Sequence, residues 1–170
     1  MRVLIVRHGI ALDRELARQQ RLVDSARALT PQGRRKMRGV ARGVAQWVPA
    51  VDIIATSPLV RAVETAQLLH RRLRSAKPVT CSALRPGHTV ASLPRWLKQQ
   101  NADATVLIVG HEPDLSMFIA WATVGRMRSY IKLKKGGACL LEFTGSIAKG
   151  GAEMQWLLTP DQLRTSGKRG

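Results

Sequence analysis

Apolar residues along this chain fall into two repeating patterns. Short aliphatic runs typical of buried strands occur at Val3–Val6, Ile53–Ala55 and Val106–Val109. Longer segments carry apolar residues at helical spacing and predict helices at Thr30–Val48, Leu59–Leu73, Thr89–Gln100 and Leu115–Val124. Pro94 weakens the third of these helices because proline lacks a backbone N–H. Strands therefore alternate with helices, which is typical of an α/β protein.

The C-terminal part of the chain follows a different pattern. Two strands are predicted at Gly137–Phe143 and Glu153–Leu158, joined by a Gly-rich turn as in an antiparallel hairpin. With a short strand at Val79–Leu84, the expected fold is a three-layer α/β/α sandwich with a mostly parallel central sheet and a C-terminal antiparallel hairpin. The 170 residues are expected to form one domain over residues 1–163, followed by a basic tail over residues 164–170.

Candidate chemistry lies where three of the predicted strands end. The first strand runs into Arg7-His8-Gly9, and the third into Gly110-His111-Glu112-Pro113. The second runs into Ser57, read as a helix N-cap before Pro58, which places Arg61 in the first helical turn. Because the carboxyl ends of parallel strands meet at one edge of a sheet, four side chains should converge there on a single anion, namely Arg7, His8, Arg61 and His111.

These residue types suit a phosphoryl group. A neutral imidazole can attack phosphorus, and a guanidinium holds phosphate oxygens in two-point geometry. Gly9 allows the backbone to approach a ligand without a Cβ. The substrate-binding residues are accordingly predicted to be Gly9, Ser57 and Glu112, with His88 as a residue of the pocket rim.

Taken together, the motifs resemble the histidine phosphatase superfamily, the phosphoglycerate-mutase-like enzymes, and more narrowly the SixA-type phosphohistidine phosphatases. The motifs that carry the resemblance are Arg7-His8-Gly9, Leu29-Thr30-Pro31-Gln32-Gly33, Ser57-Pro58 with Arg61, Thr65-Ala66, Gly110-His111-Glu112-Pro113 and Trp156-Leu157-Leu158-Thr159-Pro160. The resemblance implies that residues 1–163 are a histidine phosphatase domain, that His8 takes the phosphoryl group covalently, and that Arg7, Arg61 and His111 hold its oxygens. We expect His8 to be neutral and His111 to be an imidazolium, so that their pKa values are pushed apart.

One absence bears on the substrate. Members of the superfamily that cleave phosphate monoesters place a general acid after the strand predicted here at Val79–Leu84, yet no Asp or Glu occurs between Glu64 and Asp103. An alkoxide needs a proton donor to leave, whereas the imidazole released from phosphohistidine, with a pKa of about 6.5, does not. The sequence favours a phosphatase for phosphohistidine on a signalling or phosphocarrier protein. A phosphatase for small phosphate esters or polyphosphate stays open, with Asp13 and Glu15 as substitute donors.

Composition bears on partners and location. The net charge of +17 suits an acidic phosphohistidine-bearing partner, but it also suits a nucleic-acid-binding protein with a degenerate phosphatase site. Aromatic residues form only 4% of the chain and do not interleave with the basic clusters, which disfavours nucleic acid. Cys81 and Cys139 have no metal-binding spacing, so we expect two free thiols and neither a metal nor a cofactor. Aliphatic runs too short for a bilayer lead us to expect a cytoplasmic protein without membrane contact.

Overall fold

A six-stranded sheet forms the centre of the computed structural model, which describes residues 1–168. Its strands, in chain order, are β1 Arg2–Arg7, β2 Ile53–Thr56, β3 Val79–Thr80, β4 Thr105–Gly110, β5 Ala138–Phe143 and β6 Ala152–Leu158. The spatial order is β3-β2-β4-β1-β5-β6. Strands β1 to β4 are mutually parallel, whereas β5 runs antiparallel to both β1 and β6. The predicted mostly parallel sheet with a C-terminal hairpin is therefore confirmed.

Helices cover both faces of the sheet. They are α1 Arg14–Gln19, α2 Pro31–Trp47, α3 Val60–His70, α4 Thr89–Leu97, α5 Asp114–Val124 and α6 Pro160–Ser166. One face packs against α2, α3 and α6, and the other packs against α4 and α5. Residues Leu4 and Val6 of β1 face the first layer, while Val3 and Ile5 face the second, and all four are fully buried. This burial on both faces explains the unbroken aliphatic runs of the central strands.

Local signals account for the ends of several helices. Thr30 accepts the N–H of Gly33 at 2.9 Å and is followed by Pro31, so α2 begins where its sequence predicts. Thr159 and Gln162 form a capping box that starts α6. Helix α5 ends at Gly125, whose φ of 70° suits glycine.

The structure differs from the sequence expectations in three parts of the chain. The segment predicted as one strand over Val79–Leu84 is a two-residue edge strand followed by a 3-10 turn at Ser82–Leu84, because the chain bends there to bury Leu84. Helix α1 and a 3-10 turn at Asp24–Ala26 were not predicted, since that segment has no apolar period. Helix α6 continues past the expected boundary at Leu163 to Ser166, and the last two residues of the expected basic tail, Arg169 and Gly170, lie outside the described residues.

Two smaller observations complete the fold. Cys81 and Cys139 are buried free thiols, as expected. Across residues 1–168, no helix is both long enough and apolar enough to cross a membrane.

The strand register positions the candidate site. Arg7 pairs with Gly110 at the carboxyl ends of β1 and β4, so the next residues, His8 and His111, leave the sheet side by side. The N–H of His8 donates to the carbonyl of Gly110 at 3.1 Å and fixes this relationship. Thr56 pairs with Val109 on the other side of β4, which brings the loop after β2 to the same edge.

Candidate active site

A cavity of about 680 Å³ opens at this edge of the sheet, and we call it the histidine cavity. It contains all four side chains expected to bind the anion: Arg7, His8, Arg61 and His111. Glu112 also lines it, together with residues of the loop between β1 and α2 and with Pro86 and Lys135. Three distant segments of the chain thus meet at one place, as parallel strands ending at one edge require.

His8 is a buried group whose ring packs beside that of His111. Its side chain is buried, and its ring centroid lies 5.0 Å from that of His111. The Nδ1 atom lies 2.7 Å from the carbonyl oxygen of Gly9. A carbonyl accepts and cannot donate, so Nδ1 carries the proton and Nε2 holds the lone pair. His8 is therefore a neutral imidazole with Nε2 as its nucleophilic atom.

Gly9 keeps the backbone next to His8 in place. Its N–H donates to Thr65 Oγ1 at 3.1 Å, and Thr65 Oγ1 in turn donates to the carbonyl of Arg61 at 2.7 Å. A Cβ on Gly9 would lie 2.5 Å from Cγ of Met37, a distance that requires the buried Met37 side chain to move. Glycine at this position therefore allows Met37 to pack against the backbone, whereas close approach of a ligand to Gly9 stays a prediction.

Arg7 is anchored at one end of its guanidinium. Nη1 donates to the carbonyl of Leu133 at 2.8 Å, while Nε is buried without a hydrogen-bond partner among the described residues. Burial lowers the pKa of Arg7, and the nearby carboxylate of Glu112 partly offsets this effect. An arginine remains charged under these conditions, so Arg7 offers a fixed cation with donors to spare.

Arg61 is held by Asp24. Its Nη1 donates to the backbone carbonyl of Asp24 at 2.8 Å and its Nη2 to the Oδ2 atom at 3.0 Å. Arg27 contacts Oδ1 of the same carboxylate at 2.9 Å. Burial lowers the pKa of the Arg61 guanidinium, and its bonds to Asp24 raise it. Burial raises the pKa of Asp24, but Arg61 and Arg27 together hold that pKa below its ordinary value.

Ser57 supports His111 rather than capping a helix. The sequence predicts Ser57 as the N-cap of the second helix, but α3 begins at Val60 and its N-cap is Leu59, so that prediction is wrong. Ser57 Oγ instead lies 2.8 Å from His111 Nε2, in a fully buried position. The hydroxyl is engaged by the imidazole, and the Nδ1 atom of His111 is left buried without a hydrogen-bond partner among the described residues.

Both histidines have lowered pKa values, which corrects the expectation that the two would be pushed apart. Burial lowers the pKa of His8 to about 3. The bond to Gly9 raises it, and smaller effects of His111, Arg61 and Arg7 lower it further. Burial and Arg61 lower the pKa of His111 to about 4, although Asp24 acts in the other direction. Enclosure among arginines therefore makes both imidazoles neutral at pH 7.

Three carboxylates line the cavity, and they differ in state. Asp24 is paired with arginines, and Asp13 is an exposed N-cap that accepts the N–H of Glu15 at 2.8 Å. Glu112 is half-buried, its Oε2 accepts the hydroxyl of Ser116, and its Oε1 is buried without a hydrogen-bond partner among residues 1–168. Burial raises the pKa of Glu112, despite opposing effects from Ser116 and Arg7. Of the three carboxyl groups in the cavity, Glu112 is thus the one whose pKa is shifted in favour of the protonated form.

His88 is not brought to the histidine cavity, contrary to the sequence prediction. Its exposed side chain lines a separate cavity with Cys81 and Arg95, whereas Pro86 is the residue of this loop that reaches the histidine cavity. The reason is local: the N–H of Gly87 donates to Asp114 at 2.6 Å, and the chain then turns away into α4.

Four charged residues of the cavity were not among the predicted site residues: Arg14, Asp24, Arg27 and Lys135. Asp24 and Arg27 lie in a segment without periodicity, and Asp24 contacts an arginine 37 positions away. No local sequence signal marks these contacts, because they depend on how the loop after β1 crosses the cavity.

A metal site is a separate question. Throughout the part of the chain that the structure describes, no three His, Cys, Asp or Glu side chains are grouped so that they could hold a metal ion. In the cavity itself, positive charge comes from arginine and lysine side chains.

Comparisons with known proteins show what this chain is similar to. Residues 3–86 match a sequence model of the histidine phosphatase superfamily, branch 1. An uncharacterised protein of Picosynechococcus sp. is 32% identical over 139 residues, which cover 81% of this chain and 82% of that protein.

Solved structures with similar folds include several phosphatases. The protein histidine phosphatase SixA complexed with tungstate has a TM-score of 0.80 at 24% identity, covering 96% of this chain and 99% of that chain. A phosphoserine phosphatase mutant from Entamoeba histolytica in complex with phosphoserine has a TM-score of 0.71 at 17% identity, covering 95% and 98%. The alpha-ribazole phosphatase from Shigella flexneri has a TM-score of 0.65 at 17% identity, covering 94% and 97%. At these identities the likeness establishes the fold.

Proposed function

The chain belongs to the histidine phosphatase superfamily and is a phosphatase, and we propose that it removes the phosphoryl group from phosphohistidine on a signalling or phosphocarrier protein. The proposed reaction passes through a covalent phosphohistidine at His8. The partner is an acidic protein domain, and the products are that domain with a free histidine and orthophosphate.

The state of His8 is the observation that carries this proposal. The Nδ1 proton is committed to the Gly9 carbonyl at 2.7 Å, and a pKa of about 3 keeps the ring neutral. Nε2 therefore holds a lone pair at every pH near neutrality. A nucleophile with this preset tautomer, beside two arginines and a second imidazole, is suited to attack phosphorus.

In the first proposed step, Nε2 of His8 attacks phosphorus in line with the bond to the departing histidine. The new Nε2–P bond forms as the P–N bond of the substrate breaks, and the electron pair of that bond stays on the departing imidazole. Arg7 and Arg61 hold the equatorial oxygens, where charge accumulates in the transition state. Solvent protonates the other ring nitrogen of the phosphohistidine before the P–N bond breaks, so the group that departs is a neutral imidazole. Its conjugate acid has an ordinary pKa of about 6.5, and no dedicated acid is needed.

In the second proposed step, water attacks phosphorus on phospho-His8. The Nε2–P bond breaks, His8 recovers its lone pair, and orthophosphate departs with the proton balance completed by solvent. The bond from Nδ1 to Gly9 fixes the ring orientation throughout both steps. Arg7 and Arg61 stabilise the transition states of both steps, because the equatorial oxygens occupy the same positions when His8 attacks and when water attacks.

The preference for a P–N bond is supported by the loop after β3. This loop, Ser82–Gly87, contributes Pro86 to the histidine cavity, and no carboxylate occurs from there back to Glu64. A donor for an alkoxide leaving group contributes about 100- to 10,000-fold in rate, so an enzyme without one should favour leaving groups that need none.

One observation favours a second candidate, a phosphatase for small phosphate esters. Glu112 lies in the histidine cavity with a raised pKa and a buried Oε1 that has no hydrogen-bond partner among residues 1–168. A protonated carboxyl group there would supply the donor that an ester requires.

The two candidates are separated by comparing substrates on the intact protein. Orthophosphate release is measured from a histidine-containing phosphocarrier domain phosphorylated on its histidine, from a phosphoserine peptide and from nucleoside monophosphates. We expect kcat/KM for the carrier to exceed that for every ester. Equal or faster turnover of the esters would overturn the P–N preference in favour of the second candidate.

A further inference from the structure

A second cavity of about 470 Å³ adjoins the histidine cavity, and we call it the basic groove. The two cavities share Arg7, Ile10 and Lys135 in their walls. The two cavities are therefore adjacent, and a substrate chain whose phosphoryl group lies in the histidine cavity has the basic groove beside it. The cationic side chains that line the groove are Arg7, Lys36, Lys132, Lys134, Lys135 and Arg164.

The charge of the groove is nearly uncompensated. Asp161 is the one carboxylate in its wall, and it is already paired with Arg164 at 2.6 Å. None of the four lysines forms an ion pair with a carboxylate within residues 1–168. Ammonium groups gathered without counter-charges repel one another, and an anionic ligand relieves that repulsion.

The floor of the groove is apolar. Ile10, Met37, Val40 and Pro160 line it; Met37 and Val40 are buried, whereas Ile10 and Pro160 are partly exposed. Gly136 has a φ of 78°, and a Cβ on it would lie 2.9 Å from Sδ of Met37. Glycine at this position thus keeps a side chain off the floor. Inorganic polyphosphate has no apolar part to place on such a floor, whereas a polypeptide does.

From these observations we propose that the basic groove binds the polypeptide segment flanking the phosphohistidine of the partner protein. Acidic side chains of that segment pair with the lysines of the rim, and an apolar side chain packs on the floor near Ile10 and Pro160. This inference rests on the proposed function, because it assumes that the phosphoryl group is attached to a protein.

Two synthetic peptides of equal length test the proposal. Each carries one central phosphohistidine, flanked in the first peptide by glutamate and leucine and in the second by serine and glycine. The kinetic measure is the ratio of kcat/KM for the first peptide to kcat/KM for the second. A separate binding measure uses fluorescence anisotropy with the same two peptides carrying unphosphorylated histidine. In the native enzyme, we expect a ratio of about ten or more, because paired charges and a buried side chain act together.

The variant Lys36→Glu/Lys132→Glu reverses two charges that line the groove from different elements. Its matched control is Lys77→Glu/Lys98→Glu, which makes the same change in net charge at exposed positions. Lys77 precedes β3, and Lys98 follows α4 and precedes β4. Both therefore lie toward the amino ends of the parallel strands, away from the carboxyl ends where the two cavities open. We expect the ratio to fall to about one in the groove variant and to remain at the native value in the control.

The outcomes separate this inference from the proposed function. If both peptides are hydrolysed and bound equally, the groove proposal is overturned while the proposed function stands. Equal losses in the groove variant and its control would also overturn it, since charge would then act at long range. If neither peptide is hydrolysed but the binding preference persists and depends on Lys36 and Lys132, the proposed function fails and the peptide groove survives. Displacement of the acidic peptide by lower concentrations of inorganic polyphosphate or random RNA would overturn the assignment to protein.

Discussion

Arg61 and Asp24 form a two-point contact inside the histidine cavity, with Nη1 on the backbone carbonyl at 2.8 Å and Nη2 on the carboxylate at 3.0 Å. A phosphoryl group that uses Arg61 must therefore share it with a negative charge. Asp24 holds the guanidinium in position and at the same time repels the substrate. Half of the Asp24 side chain is exposed. Movement of the loop that carries Asp24 toward solvent would therefore weaken both the anchoring of Arg61 and the repulsion of the substrate.

The first prediction concerns Asp24→Asn. The backbone carbonyl still accepts from Arg61, but a negative charge near the bound phosphate is removed. We expect orthophosphate or tungstate to inhibit the variant about three- to tenfold more tightly, because like charges at this range disfavour each other. Inhibition constants measured for native enzyme and variant check this, with Asp103→Asn on the exposed surface as control. Weaker inhibition would mean that Asp24 acts mainly by positioning Arg61.

A covalent intermediate on His8 is the second prediction. His8→Ala removes the attacking nitrogen, so we expect turnover to fall to background. Native enzyme mixed with phosphorylated carrier and quenched in alkali should carry an acid-labile, alkali-stable phosphate that mass spectrometry assigns to His8. His70→Ala is the matched control, because that imidazole bonds to Ser75 outside the cavity. Full activity of His8→Ala would exclude the proposed mechanism.

Arg7 provides the third prediction. Arg7→Ala removes a fixed cation from the transition state, and we expect kcat/KM to fall by about 100-fold or more. Arg7→Lys keeps the charge but loses the planar fork anchored on Leu133, so it should recover only part of the loss. Steady-state kinetics on the carrier distinguish the two variants. A loss of tenfold or less in Arg7→Ala would indicate that the phosphoryl group is held elsewhere.

The fourth prediction links stability to pH through the histidines. The unfolded chain binds protons on His8 and His111 below an ordinary pKa of 6.5, whereas the folded pKa values are about 3 and 4. The free energy of unfolding should therefore decrease as pH falls from 6.5 toward 4, by up to about 1.4 kcal/mol per pH unit for each histidine. The raised pKa of Glu112 acts in the opposite direction and reduces the net slope.

Urea unfolding of native protein and His111→Asn at pH 4.5, 5.5 and 6.5 measures this slope. We expect a shallower decline in the variant by up to about 1.4 kcal/mol per pH unit, whatever its absolute stability. His70→Asn, which removes an imidazole outside the cavity, serves as the control. Equal slopes in native protein and His111→Asn would show that His111 titrates alike in both states.

The fifth prediction tests for a proton donor. In a series of aryl phosphates, phosphorylation of His8 should slow steeply as the leaving-group pKa rises if no group protonates the departing oxygen. Glu112→Gln should leave this dependence unchanged. A flat dependence in native enzyme that becomes steep in Glu112→Gln would identify Glu112 as the donor and favour ester substrates. Ser116→Ala, which removes the hydroxyl that bonds to Glu112, separates loss of the carboxyl group from its displacement.

The parts of the fold and site that could be predicted from the sequence depend on local rules. Buried strands are continuous aliphatic runs, and Thr30-Pro31 marks a helix start whatever the rest of the chain does. Once the strands are parallel, the chain positions just past their ends meet at one edge, which is why Arg7, His8, Arg61 and His111 could be grouped in advance.

The remaining features depend on contacts between distant segments. Asp24 reaches Arg61 because of the path of an aperiodic loop, and Ser57 bonds to His111 instead of capping α3. The exposed position of His88 follows from a hydrogen bond between Gly87 and Asp114. The low pKa of His111 could not be anticipated, because it depends on burial as well as on how close Arg61 lies. Each of these requires three-dimensional distances that no spacing in the sequence encodes.

The placement of β4 between β1 and β2 ties catalytic competence to the completion of folding. His8 leaves the ribosome early, but its partner His111 and the strand that joins β1 to β2 follow about a hundred residues later. A chain that has not yet inserted β4 lacks both the middle of the sheet and the second imidazole. Such long-range pairing is a slow step in folding. Phosphatase activity should therefore be absent during refolding until β4 has paired with β1 and β2.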